Sequence, residues 1–129
     1  MNEKVPLVSV VVPNYNYARY LDARLTSILN QTFQDFELIL LDDASTDNSL
    51  EILDKYKNNP HVSYLVVNEQ NTGSPFKQWM KGILLAKGEW IWIAEADDLC
   101  ESTFFGNLCG AGSEIFQYIC VYDCFEIYR

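Results

Sequence analysis

The stretch GEWIWIAEADD, Gly88 to Asp98, constrains this chain more than any other. An apolar run carrying Trp90 and Trp92 ends abruptly in Glu95, Asp97 and Asp98. A segment this short, with no alternation of apolar and polar positions, reads as a strand covered on both faces, the kind found inside a parallel sheet. The acids then sit where the strand leaves the sheet, at the carboxyl edge, where open α/β sheets bind ligands. Carboxylates crowded there repel one another and call for a compensating cation or hydrogen-bond donors. A solvated acidic turn is the alternative.

The same layout recurs upstream. Leu7 to Val12 (LVSVVV) reads as a central strand that Pro13 stops, and PNYNY follows at its carboxyl edge. Leu21, Leu25, Ile28 and Leu29 recur at helical spacing and predict a helix from near Tyr17 to near Asn30. Tyr15 and Asn16 therefore occupy the ligand-side loop of a β-α unit, where the Tyr15 ring either plugs the core or offers a stacking face to a planar ligand. Phe36 to Leu41 (FELILL) is a second strand, ending in Asp42 and Asp43. In the following ASTDNS, Thr46 or Asp47, with Asp47 favoured, is expected to cap a helix running to about Lys57. Asp43 lies too early to cap it and is left at the same edge as Tyr15.

Val62 to Val67 (VSYLVV) is the third strand. His61 before it, the only histidine, stands beside a turn and is assigned no chemistry. In NEQNTGSP, Ser74 is placed to cap a helix and Pro75 to occupy its first position. Phe76, Trp79, Met80, Ile83 and Leu84 predict the core-facing side of that helix, with Gly88 terminating it. Lys77 falls in the first turn, where the helix dipole disfavours a cation; it either marks a nearby anion or is an ordinary surface lysine. The order β-α-β-α-β-α-β specifies an α/β fold, a doubly wound, mostly parallel sheet with right-handed crossovers. It is read as a single domain over residues 1–129, with a short helical pattern near Thr103 to Leu108 and a last strand over Ile115 to Tyr122.

A net charge of −9 argues against nucleic acid as partner, because a phosphate-tracking surface needs clustered Lys and Arg. No apolar run reaches the roughly 18 residues that span a bilayer, and MNEKVPLVSVVV lacks the layout of a signal peptide, so a cytoplasmic location is expected, with peripheral attachment to the cytoplasmic membrane face allowed. Cys100, Cys109, Cys120 and Cys124 match no common zinc spacing and are read as buried free thiols.

Parallel strands deliver their carboxyl ends to one side, so PNYN, DDASTD and EADD should converge on one site. An aromatic face with an acceptor carboxylate suits a nucleobase that donates an N–H, and a carboxylate cluster suits an oxygen-liganded divalent ion bridging phosphates. No G-x-G-x-x-G follows the first strand and no P-loop occurs, which argues against dinucleotide and P-loop binding.

VSVVVPNYNYARYL, LTSILNQTFQDFELILLDDASTD, NTG and KGEWIWIAEADD, in this order and spacing, resemble the inverting glycosyltransferases of family 2, which have the GT-A fold. The resemblance covers nearly all of Val8 to Asp98. It implies a Rossmann-like nucleotide-binding half and a nucleotide-sugar donor, with a UDP-sugar favoured. Pro13 and Tyr15 would embrace the base, Asp43 would accept from its imide N–H, and Asp97 would bind the ribose. Asp98 would hold a Mg or Mn ion on the diphosphate, and Glu95 stands where many members have the first Asp of a D-x-D motif. Lys77 looks like the basic residue that relatives place after the NxG loop, although Lys77, Gln78 and Trp79 replace their Arg-Asn pair.

Such a site implies direct displacement at the anomeric carbon, with a carboxylate base deprotonating a glycan, lipid or other hydroxyl acceptor. In relatives that base lies beyond the metal motif, and neither Asp123 nor Glu126 is identified as it. The chain is accordingly expected to be an incomplete, donor-binding part of a transferase, self-associating through its last strand. A nucleotide-sugar-binding module without turnover is the alternative. A phosphoacceptor receiver domain ranks last, because the third strand ends in Val67, Asn68 and Glu69 rather than in an acceptor Asp.

Overall fold

Five successive buried positions, Val8 to Val12, make the first strand a centre that other strands must cover on both edges. In the computed structural model, which describes residues 5–96, they do so. The elements run β1 (Val8–Asn14), α1 (Ala18–Leu29), β2 (Phe36–Asp42), α2 (Ser49–Tyr56), β3 (Val62–Val67), α3 (Pro75–Leu85) and β4 (Trp90–Ile93). The sheet order is β3-β2-β1-β4 and every pairing is parallel. The chain winds outward from β1 to β3 and then returns to the opposite side of β1, so the winding reverses between β1 and β4. A crevice opens at such a switch point because the loops on its two sides lead away in opposite directions.

Alternate side chains of β1 enter two cores, as the strand period of two requires. Val8, Val10 and Val12 pack with Leu21, Leu25 and Ile28 of α1 and Ile52 and Leu53 of α2. On the other face, Val11, Ile39, Leu41 and Ile93 are buried together, with Trp79 and Leu85 of α3 packed against them. Arg24 falls inside the buried stripe of α1, and its guanidinium lies 4.8 Å from the centre of the buried Trp92 ring.

Pro13 does not stop β1; the strand continues, with Pro13 beside Leu41 and Asn14 beside Asp42. Val11 accepts from Ala94 N–H on the β4 side, whereas Asn14 accepts from Asp43 N–H on the β2 side. Pro13 shares the parity of Val11 and so faces β4, whose pairing with β1 ends at Val11 and Ile93. Its missing N–H therefore costs the ladder nothing.

Of the face expected to bury α3, Trp79 packs against the core and the other four residues do not. Gln78 and Gly82 are its buried residues, while Phe76 is 69% and Leu84 80% exposed, with Met80 and Ile83 exposed too. Gly82 decides this: a Cβ there would lie 2.3 Å from Val11 Cγ1, so the helix rests on the sheet along its smallest side chain. Gly88 also acts differently from expectation, since α3 already ends at Leu85. Its N–H donates to Ser9 Oγ at 2.7 Å, and a Cβ would collide with the Ser9 backbone at 2.8 Å. His61 is more than a solvated turn residue. Its ring stacks on Phe36 at 4.1 Å, and its nitrogens contact the Phe36 carbonyl and Gln34 Oε1, at the sheet edge opposite the loops of interest.

At that same amino edge Glu37 is buried and ties four segments together. It accepts from Ser9 Oγ of β1 and Ser63 Oγ of β3, each at 2.6 Å, and from Lys87 N–H before β4 at 2.7 Å. Burial pushes its carboxyl up, but these donors and the Lys87 charge outweigh burial and hold it below its ordinary value. A depressed carboxyl contributes stability that is complete above the unfolded-state value and is lost as pH falls through the folded-state value. Urea unfolding should therefore show wild-type stability declining below about pH 4.5, with Glu37→Ala, destabilised by roughly 2–3 kcal/mol at pH 7, showing a smaller decline over that range. Gly82→Ala should lower stability by about 1–3 kcal/mol in the same assay, although alanine is the better helix former, because the Val11 contact dominates.

Candidate functional site

The loops at the carboxyl edge are stitched to one another before they meet any ligand. Asn16 adopts a left-handed backbone, φ 59°, and its Oδ1 accepts the N–H groups of Thr46 at 2.7 Å and Asp47 at 3.2 Å. Ser45 Oγ accepts Asn16 N–H at 2.9 Å. Asp42, fully buried, accepts Asn14 Nδ2 at 2.9 Å and both the N–H and hydroxyl of Ser45, at 2.9 and 2.7 Å. Asp47 does not occupy the cap position of α2, which is Asn48. Its carboxylate instead accepts Ala18 N–H at 3.0 Å and Ser49 N–H at 2.9 Å, so one side chain satisfies the first turns of both α1 and α2. Burial pushes the Asp47 carboxyl up, but the bonds from Ser49 and Ala18 together outweigh it and hold the group below its ordinary value.

Behind this frame lies a cavity of about 560 Å³, lined by residues from all the ligand-side loops, Pro13, Tyr15, Asp43 and Glu95 among them. Four of the candidate residues read from the sequence thus meet in one place. The Tyr15 ring is 44% exposed, so it does not serve as a core plug. Asn16 does not reach the cavity, being spent on the adjoining loop. Lys77 stands apart as well, on the outer side of α3 beside Phe76, Met80 and Leu84. Asp97 and Asp98 lie outside the described residues, as do all four cysteines and the expected last strand.

Asp43 is the best-defined polar group of the cavity. Its Oδ1 accepts Asn68 Nδ2 and Thr72 N–H, each at 2.9 Å, and its Oδ2 accepts the Thr72 hydroxyl at 2.8 Å. Burial pushes the carboxyl up, but the bonds from Asn68 and Thr72, with the Lys81 ammonium behind them, hold it below the ordinary range. It is a fixed anionic acceptor with lone-pair capacity left on Oδ2. Glu95, half-buried at the end of β4, accepts Trp79 Nε1 at 3.3 Å. Among the described residues no three His, Cys, Asp or Glu side chains form a metal-binding group. Glu95 is a hard oxygen donor facing the cavity, which fits a Mg or Mn site completed by further carboxylate and phosphate oxygens rather than an all-protein cage.

The sequence presents NTGSP as a helix start and as a motif shared with family 2, without assigning Asn71, Gly73, Ser74, Pro75 or Gln78 to the site; in the structure all five belong to the cavity wall. Their signal was position: like the other three loops, this one leaves the carboxyl edge of a parallel strand.

The sequence profile described as "Glycosyl transferase family 2" matches residues 9–114. "Glycosyltransferase GlyG" of Streptococcus pneumoniae is 41% identical over 102 residues, covering 79% of this chain and 34% of that protein. "Hyaluronan synthase" of Pasteurella multocida is 39% identical over 99 residues, 76% of this chain and 10% of that protein. Among solved structures, S. aureus TarS 1–349 in complex with UDP-GlcNAc superposes with a TM-score of 0.74 at 31% identity, covering 80% of this chain and 30% of that one. The chain thus spans about a third or less of the length of these relatives. Among the described residues no helix is long and apolar enough to cross a membrane. The parallel sheet with its switch point is the Rossmann-like half of a GT-A fold, and with a matched span that contains every residue of the cavity wall, the chain belongs to glycosyl transferase family 2.

Proposed function

We propose that the cavity binds the nucleotide of a UDP-sugar and that the chain serves as the donor-binding part of an inverting glycosyltransferase. The observation that carries this reading is the meeting of Pro13, Tyr15, Asp43 and Glu95, drawn from three separate strand ends, around one cavity. Pro13 and the exposed Tyr15 ring offer apolar faces to a base. Asp43 Oδ2 accepts the imide N–H, a group that uracil presents and cytosine lacks. TarS, similar in fold and sequence, has been crystallised with UDP and with UDP-GlcNAc, which supports the choice of base.

In this reading Asp97 would bind the ribose, and Glu95 and Asp98 would hold a Mg or Mn ion. When bound, the ion neutralises charge on the leaving diphosphate, an effect of several kcal/mol in comparable sites. Glu95 is kept in position by the Trp79 indole N–H. The acceptor, a glycan, lipid or other hydroxyl compound, must approach the anomeric carbon from the side opposite the diphosphate, and its deprotonation needs a base. No described residue is assigned that role here, so the described residues account for donor binding.

Thermal unfolding tests the reading directly. UDP with Mn should raise the melting temperature, and Asp98→Ala should remove the Mn-dependent part of the rise. Asp43→Asn, which turns an acceptor into a donor opposite the imide N–H, should weaken UDP about tenfold or more, as expected for loss of a charge-assisted hydrogen bond. Absence of any shift with UDP, GDP or CDP, with or without Mn, would sink the assignment. Transfer or hydrolysis of a UDP-sugar by the chain separates a transferase from a binding module.

A further inference from the structure

The wall of the cavity contains a donor that the fold leaves unused. Gln78 is 3% exposed, and its Nε2 has no hydrogen-bond partner among the described residues. Its orientation is dictated from outside. Asn68 stands between the Lys81 ammonium, which can only donate, and the Asp43 carboxylate, which can only accept. Asn68 must therefore turn Oδ1 to Lys81 and Nδ2 to Asp43. The second hydrogen of the same Nδ2 goes to Gln78 Oε1 at 3.1 Å. With Oε1 committed, Nε2 is the group that Gln78 has left to offer the cavity it lines.

A buried amide N–H without a partner is costly, and a ligand acceptor removes that cost. The acceptor is specified by what lies beside it. Asp43 and Gln78 share one nitrogen of Asn68, with bonds of 2.9 and 3.1 Å, so they form one recognition unit. Asp43 contributes an acceptor and Gln78 a donor, a pattern complementary to an N–H flanked by a carbonyl. We propose that Gln78 is a specificity-determining residue, its Nε2 donating to a base carbonyl next to the imide N–H that Asp43 accepts. This rests on the UDP reading above and extends it from one base contact to two. Lys81, outside the cavity, acts at a distance by holding Asn68 in the orientation that presents both groups.

Calorimetric titration of the full chain with UDP, 2-thio-UDP and 4-thio-UDP tests this, since each thio analogue replaces one carbonyl oxygen with a poorly accepting sulfur. Wild type should bind one of the two analogues about tenfold more weakly than UDP, as for a donor left buried without its acceptor. Gln78→Leu should bind UDP about tenfold more weakly than wild type does and no longer distinguish that analogue from UDP. Gln78→Glu keeps an oxygen for Asn68 but faces the carbonyl with an acceptor, and should weaken UDP at neutral pH while remaining folded. In wild type the Gln78 side-chain amide proton resonances should shift on addition of UDP, a readout independent of any variant. Wild type that binds UDP and both analogues equally, with Gln78 resonances unmoved, overturns the role of Gln78 alone. Wild type that binds no nucleotide overturns both this role and the reading on which it rests.

Discussion

The parallel pairing of β1 on both of its edges is the constraint from which the remaining geometry follows. A strand flanked by β2 and β4 and covered by helices on both faces must bury every side chain along its length, and Val8 to Val12 meet this with four valines and with Ser9, whose hydroxyl donates to Glu37 and accepts from Gly88 N–H. Because its neighbours run parallel, every strand releases the chain on the same side, and because β4 returns across β1, the loops on that side part around a crevice. The cavity is thus a consequence of winding order before any side chain is considered. Side chains then decide what the crevice can hold.

Carboxylates carry much of that decision, and the same functional group acts in four ways according to the donors around it. Glu37, at the far edge, spends its lone pairs on Ser9, Ser63 and Lys87 and serves cohesion between strands. Asp42 folds the loop that follows β2 by accepting from Asn14 and Ser45. Asp47 satisfies two helix starts. Asp43, next to Asp42 in the chain, is held by Asn68 and Thr72 of the loop that follows the neighbouring strand β3, and lines the crevice. Neighbours in sequence point to opposite sides of a strand, so adjacent acids at the end of β2 are handed to different surroundings.

Much of the architecture is legible in the sequence. β3 has the predicted bounds, β2 is extended only by Asp42, and α1 falls within a residue of its expected ends, because each carries an apolar pattern whose period has a single structural reading. The misreadings share a cause. The apolar residues of α3 form a helical stripe strong enough to predict burial, yet Gln78 and Gly82 face the sheet, since close approach to Val11 rewards the absence of a side chain, which a hydrophobic pattern does not register. The missing N–H of Pro13 predicts a strand end, but this position faces the side on which β1 no longer has a partner strand. Asn16 is read from its place in the loop after β1 and Lys77 from its place in the first turn of α3, whereas the direction of each side chain depends on the next loop over, here Ser45 to Asp47, and on which way α3 is turned.

The sequence by itself determined the layers, the strand direction and the edge on which polar residues gather, because these depend on local periodicity and on the chirality of β-α-β crossovers. The tertiary structure alone decided which of those polar residues share a cavity and which are consumed in holding it open. That choice rests on hydrogen bonds between residues far apart in the chain, Asp43 with Asn68 and Thr72 or Asn16 with Thr46, and on a two-amide relay whose orientation is imposed by the opposite charges of Lys81 and Asp43 on either side of Asn68. Such bonds require distance and angle to be satisfied together, and no one-dimensional pattern encodes either.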